Sequence, residues 1–252
     1  GYYVLSRGDS FSQMALNILH IPVNFGCEIG HLWYIYMLIG LYLVTPIISP
    51  WLQQASKREL EGYLGLWIIT TFIPYIHLVY PEVLGEAFWN DTPLLYYFTG
   101  FIGYFILGYY LKRFGYPSAA LSWIILIVGF ALSAGIFCSR IDTVPTVPEL
   151  ELSWGFCTVN VFLMTLGLFS LISRLSLKGK NAACKLLSDI SVKSYGMYLA
   201  HILFLNFYYG LFKSISDAAY VTIPLIAVCT FITVYIFVYL LSYLPKSKYI
   251  IG

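Results

Sequence analysis

Hydrophobic positions along this chain fall in long blocks, not in the narrow repeating stripe of a soluble amphipathic helix. The first block opens at His31, in HLWYIYMLIGLYLVTP. Extended to Leu52 it runs 21 residues past the histidine, and at about 1.5 Å per residue that length crosses a hydrocarbon core of roughly 30 Å. Six further blocks follow, at roughly 62–80, 93–111, 119–138, 154–173, 192–213 and 220–244, separated by polar residues, Pro and Gly. Each is long enough to span. The pattern predicts an all-α, polytopic membrane helix bundle with seven transmembrane helices over residues 31–252. Residues 1–30 mix Gly, Ser, Asp, Asn and Pro around a weakly amphipathic stretch at 14–21, and read as an external loop carrying one short interfacial helix.

Composition agrees with the pattern. The chain is 60% hydrophobic and 10% charged, with a mean hydropathy of +0.79, whereas soluble domains carry about 25% charged residues. A lipid bilayer is therefore its medium, and nothing suggests nucleic acid as a partner. Charge placement adds an orientation, because Lys and Arg are retained on the cytoplasmic side of a membrane. With His31 outside, 11 of the 14 basic residues fall in inner connections, leaving only Arg7, Arg140 and Lys213 outside. The expected setting is a multi-pass protein of the cytoplasmic (inner) membrane, its Gly1 side external and its C-terminus cytoplasmic. The outer segments 81–92 and 139–153 gather acids, aromatics and prolines, and read as solvated acidic rims. The five cysteines show no metal-ligand spacing, so no metal is expected. The chain starts with Gly, with no Met among the first 13 residues, which suggests a piece cut from a longer protein.

With so few charges inside the blocks, histidine, tyrosine and asparagine are left to do polar work, and such groups should face the bundle interior. On the first block His31, Tyr34, Tyr42, Thr45 and Ser49 fall within an arc of about 80° on a helix. On the sixth, Ser194, Tyr195, Tyr198, His201, Asn206 and Tyr209 fall within about 140°. His201 lies near the middle of its span, where an imidazole must be hydrogen-bonded and can take or give a proton near neutral pH, as a general base does. A histidine held by a neighbouring tyrosine for purely structural reasons fits the same pattern. Asn160, a buried amide, either binds an acceptor hydroxyl or joins two helices. Gly100, Gly103 and Gly108 are expected to admit a close neighbouring helix, and Pro74 and Pro224 to kink their spans.

Taken in order, HLWYIYMLIGLYLVTPII, TGFIGYFILGYYLKRF and SYGMYLAHILF resemble the later helices of the membrane acyltransferase-3 family, in particular its surface-polysaccharide O-acetyltransferase branch. The resemblance implies a bundle of about ten helices in the full protein, acyl-CoA (acetyl-CoA expected) as donor substrate from the cytoplasmic side, and a hydroxyl of a surface polysaccharide or lipid-linked glycan as acceptor. It carries over His31 and His201 as catalytic candidates, and Tyr34, Tyr42, Asn160, Tyr195 and Tyr198 stand beside them as substrate-binding candidates. The family's Arg and His separated by ten residues on one helix have no counterpart. Arg7, Arg58, Arg113, Arg140 and Arg174 are followed at that offset by Ile18, Ile69, Ile124, Glu151 and Lys185. The expectation is a bundle lacking its first helices and inactive in isolation. A transporter or flippase without acyl chemistry, or the membrane anchor or sensor region of a larger protein, are the rival functions.

Overall fold

The computed structural model describes residues 10–20, 32–82, 95–175, 182–213, 215, 218–245 and 247. His31 lies outside this set. The elements in chain order are α1 (Phe11–His20), α2 (Trp33–Gln54), α3 (Lys57–Thr70), α4 (Ile73–Val79), α5 (Phe101–Phe114), α6 (Ala119–Arg140), α7 (Val147–Leu150), α8 (Val159–Ile172), α9 (Ala182–Lys213) and α10 (Ala219–Leu241), with 3-10 turns at Tyr96–Phe98 and Glu151–Trp154. No strand occurs among the described residues, and the all-helical class stands.

The expected seven spans are matched in part. Among the described residues four stretches can cross a membrane by length and composition: Trp33–Gln54, Lys57–Val79, Ala119–Arg140 and Ala219–Leu241, with the bent pair Val147–Trp154 and Val159–Ile172 as a fifth. The 93–111 block yields only the 14-residue α5, because the chain enters it through Gly100 at φ +83°, a conformation that favours glycine. The 192–213 block lies within α9, where Lys193, His201, Asn206 and several tyrosines dilute the apolar residues.

The chain divides into two compact units, residues 37–176 and residues 1–36 with 177–252. In the first, the core is Leu52, Ala55, Leu60, Leu64, Trp67, Ile106, Leu107, Leu111 and Phe162. Trp67 is its centre. The indole N–H donates to the Gly100 carbonyl at 3.0 Å, and Tyr104 and Phe162 meet the ring edge to face at 4.8 and 5.3 Å. A Cβ on Gly103 would overlap the indole. Of the three glycines expected to admit a neighbour, only Gly103 does so; Cβ atoms at Gly100 and Gly108 would meet nothing within 4 Å. The helix ends are closed by side chains. Ser56 and Glu59 form a reciprocal capping box at the start of α3, and Arg113 donates to the carbonyls of Leu52 and Ala55 at 3.1 Å each.

Helices α6 and α8 approach at backbone distance through two glycines that the sequence pattern does not single out. A Cβ on Gly129 would lie 2.7 Å from the Met164 nitrogen and 2.8 Å from the Asn160 oxygen. One on Gly167 would lie 2.7 Å from both the Leu126 nitrogen and the Ser122 oxygen. Each helix thus offers its glycine to the other's backbone, the close approach by which membrane helices associate. The block at 62–80 breaks between α3 and α4, and Pro74 sits in the first turn of α4, where its missing N–H leaves no bond unmade. Thr71, at the break, has its carbonyl taken by the Val159 N–H at 3.1 Å. Pro224, by contrast, lies inside an unbroken α10.

The second unit pairs α9 with α10 around Met197, Val234 and Val238. Near its predicted inner end Lys193, its side chain only 10% exposed, forms an ion pair with Asp189 and lies over the Tyr239 ring at 5.2 Å. The second Asp189 oxygen accepts the Tyr235 hydroxyl at 2.7 Å. The Lys193 hydrogen bond first, and then that of Tyr235, hold the Asp189 carboxyl below the usual carboxylate range.

Two predictions follow from these contacts. Gly167→Ala should lower the free energy of unfolding in detergent by about 1–3 kcal/mol, the usual cost of overpacking. Gly135→Ala, on the same pair of helices but with nothing within 4 Å of the added Cβ, should leave it unchanged or raise it by up to ~1 kcal/mol. Circular-dichroism melts compare the two, and equal effects would remove the close-approach account. For Asp189 the depressed carboxyl contributes stability above its unfolded value, about 3.9, and loses it as pH falls through the folded value. Asp189→Asn should therefore lower the melting temperature at neutral pH, with the gap to the native protein closing on acidification below about pH 4. A gap independent of pH would sink the assignment.

Candidate functional site

Around His201 the site is built by α9, and it begins with a backbone contact. Helical geometry sets the His201 side chain over the preceding turn, and its Nδ1 lies 2.6 Å from the Tyr198 carbonyl oxygen. A carbonyl only accepts, so Nδ1 carries a proton in this contact. Tyr198 also flanks the imidazole, ring centroids 5.7 Å apart at 32°. Its other side meets Tyr34 of α2 at 5.3 Å and 65°. Three of the sequence candidates, Tyr34, Tyr198 and His201, thus stand in one row.

Beside that row runs a groove of about 350 Å³ between α9 and α10, open along one side. Ser194, Tyr198, His201 and Thr230 supply its polar groups; Met197, Leu205, Phe231 and Val234 are among its apolar ones. Thr230 is 6% exposed, and its hydroxyl is buried with no hydrogen-bond partner. The hydroxyls of Thr45, Ser49, Thr70, Thr71, Ser122 and Thr222 behave differently, each bonding a carbonyl three to four residues back on its own chain. The α10 contribution was not visible in sequence. Thr230 is one hydroxyl in IPLIAVCTFITVYIF, a run with no polar face to mark which side looks at His201.

The remaining candidates are placed elsewhere. Tyr195 is 40% exposed and does not line the groove. Tyr42 belongs to the other unit and is 67% exposed. Asn160, also in that unit, is fully buried. Its amide nitrogen donates to Ser133 Oγ at 2.7 Å and to the Ser153 carbonyl at 2.9 Å, and its Oδ1 accepts the Tyr75 hydroxyl at 2.7 Å. Of the two roles left open for it, joining helices is the one these bonds describe: both amide donors are committed to α6 and to the turn before α8. That turn belongs to the acidic segment 139–153. Glu149 and Glu151 are exposed as expected of a rim, but Ser153 is buried and Leu152 offers its carbonyl to Tyr75 at 3.1 Å. Among the described residues no group of His, Cys, Asp and Glu could hold a metal ion.

The arrangement sets an imidazole, its Nδ1 on a backbone carbonyl, at the wall of a largely apolar groove. No curated protein and no solved structure matches the chain. The family model for the acyltransferase domain of acyltransferase-3 proteins matches residues 3–243. That match takes in both units and the His201 groove, and the chain belongs to the acyltransferase-3 family.

Proposed function

We propose that the protein is an integral-membrane O-acyltransferase of the surface-polysaccharide O-acetyltransferase branch. It moves an acyl group from acyl-CoA, acetyl being the group the resemblance implies, to a hydroxyl of a surface polysaccharide or lipid-linked sugar. The observation that carries this reading is an imidazole on the wall of the α9–α10 groove, oriented by the contact of its Nδ1 with the Tyr198 carbonyl. In the reaction Nε2 takes the acceptor's hydroxyl proton while that oxygen attacks the thioester carbonyl. The C–O bond forms, the C–S bond breaks, and the imidazolium returns the proton to the departing thiolate, giving ester and free CoA. Tyr198 and Tyr34 form the aromatic wall against which a sugar ring or an acyl group can lie. The expected setting is the inner membrane, with donor on the side rich in Lys and Arg and acceptor on the other.

The test is transfer of label from acetyl-CoA, and from a longer acyl-CoA, to a panel of sugar and lipid-linked sugar acceptors by the intact protein in lipid nanodiscs. His201→Ala should reduce transfer by about a hundredfold or more, the contribution of a general base, without changing yield or melting temperature. Absence of transfer from the native protein across the panel would overturn the proposal, and equal loss of folded protein in His201→Ala would make the histidine structural.

A further inference from the structure

We propose that the groove between α9 and α10 seats the hydrocarbon chain of an acyl donor longer than acetyl, its carbonyl lying at His201. The inference rests on the acyl-transfer reading and, for that same site, replaces the acetyl group implied by the resemblance with a longer acyl chain. Size is the first argument. An acetyl group has three heavy atoms, and at about 30 Å³ for each water-sized group it fills on the order of 90 Å³, a fraction of the roughly 350 Å³ present.

Lining is the second. On α9 the groove runs from Ile190 to Leu205, and the eleven residue steps from Ile190 to His201 cover about 16 Å at 1.5 Å per step. The apolar walls are Ile190, Met197, Leu205, Ala227, Phe231 and Val234, and Ser194, Tyr198, His201 and Thr230 are the polar lining residues. Ser194 gives its hydroxyl to the Ser191 carbonyl at 2.8 Å, so that the wall it offers is largely apolar. The polar groups that remain are Tyr198, His201 and Thr230. A membrane lipid tail would match the apolar walls and leave those polar groups unused. An acyl thioester matches both: a chain for the walls and a carbonyl for the polar groups.

Thr230 is the third. Its hydroxyl is buried and makes no hydrogen bond, although a threonine on a helix has two accessible rotamers, one of which bonds its own backbone. Rotation about the Cα–Cβ bond brings the hydroxyl to the groove it lines, where the donor's carbonyl oxygen supplies the acceptor it lacks. Thr230 is accordingly a positioning residue for the donor.

The test compares acetyl-CoA and octanoyl-CoA as donors for the intact protein in nanodiscs, by transfer and by equilibrium binding of radiolabelled donor. The native protein should prefer octanoyl-CoA in kcat/KM. Ala227→Phe, which fills the groove, should lower the octanoyl-to-acetyl ratio about tenfold or more, the scale on which apolar pockets discriminate chain length; Ala227→Leu provides a milder filling should the larger ring impair folding. Thr230→Val should raise KM for octanoyl-CoA without lowering the melting temperature of the unliganded protein, and Thr230→Ser should restore it. Transfer that depends on His201 but shows no preference for the longer chain, or a ratio unmoved by both Ala227 variants, overturns the inference and leaves the proposed activity in place. Octanoyl-CoA binding that Ala227→Phe abolishes, in a protein that transfers nothing, upholds the groove and overturns the activity. No binding of either donor overturns both.

Discussion

Polar groups inside an apolar helix cannot be left to water, and most of what is specific in this protein comes from how it meets that constraint. The commonest solution is local. Thr45, Ser49, Thr70, Thr71, Ser122 and Thr222 turn their hydroxyls back onto their own chain, which satisfies the donor and leaves the apolar faces undisturbed. Where the backbone itself is interrupted the solution must come from elsewhere. The break between α3 and α4 puts the Thr71 carbonyl outside regular helix, and it is met by the Val159 N–H at the start of α8. A helix start with unused donors and a helix end with an unused acceptor cancel each other.

That exchange is possible only because α6 and α8 are close enough to hold the α8 start in place. Gly129 faces the Asn160 carbonyl region and Gly167 faces Ser122 and Leu126, so the two helices approach to backbone distance at two points along α8. Bringing Asn160 this near to α6 puts its amide within reach of Ser133, and the same amide then fixes the Ser153 turn and Tyr75. Small residues set the distance, and the hydrogen bonds then set the register. Without the glycines the Asn160 network would have no geometry to work in.

The sequence showed how much of the chain is helical and apolar, because block length and hydropathy are properties of each segment alone. It showed His201 and Tyr198 as one cluster for the same reason, three residues on a helix being neighbours whatever lies around them. What it did not show depends on pairs of segments. Gly108 and Gly103 look alike in FTGFIGYFILGYYLKRF, yet only Gly103 has Trp67 upon it, and Gly129 and Gly167 gave no local signal of the contact they make. Thr230 is invisible in the same way: its significance is the groove on one side and the missing acceptor on the other, and both belong to the packing of α9 against α10. The seven expected spans are matched only in part among the described residues for a different reason. Block length measures reach, but Gly100 turns the chain at the head of α5, and the polar groups that make α9 chemically interesting are the ones that lower its hydropathy.

That last coincidence bears on why histidine serves here. A carboxylate base in so apolar a groove would carry its charge in the resting state, and burying an unpaired charge is far more costly than burying a hydrogen-bonded neutral ring. In the proposed reaction the imidazole gains its charge as it accepts the proton, together with the opposite charge developing on the thioester oxygen. The Tyr198 carbonyl, already bonded to Nδ1–H, becomes the partner of a cation at that point, and a hydrogen bond to a charged donor is roughly twice as strong as one between neutral groups. In the proposed reaction the contact that orients the ring at rest is thus the one that strengthens as the proton moves.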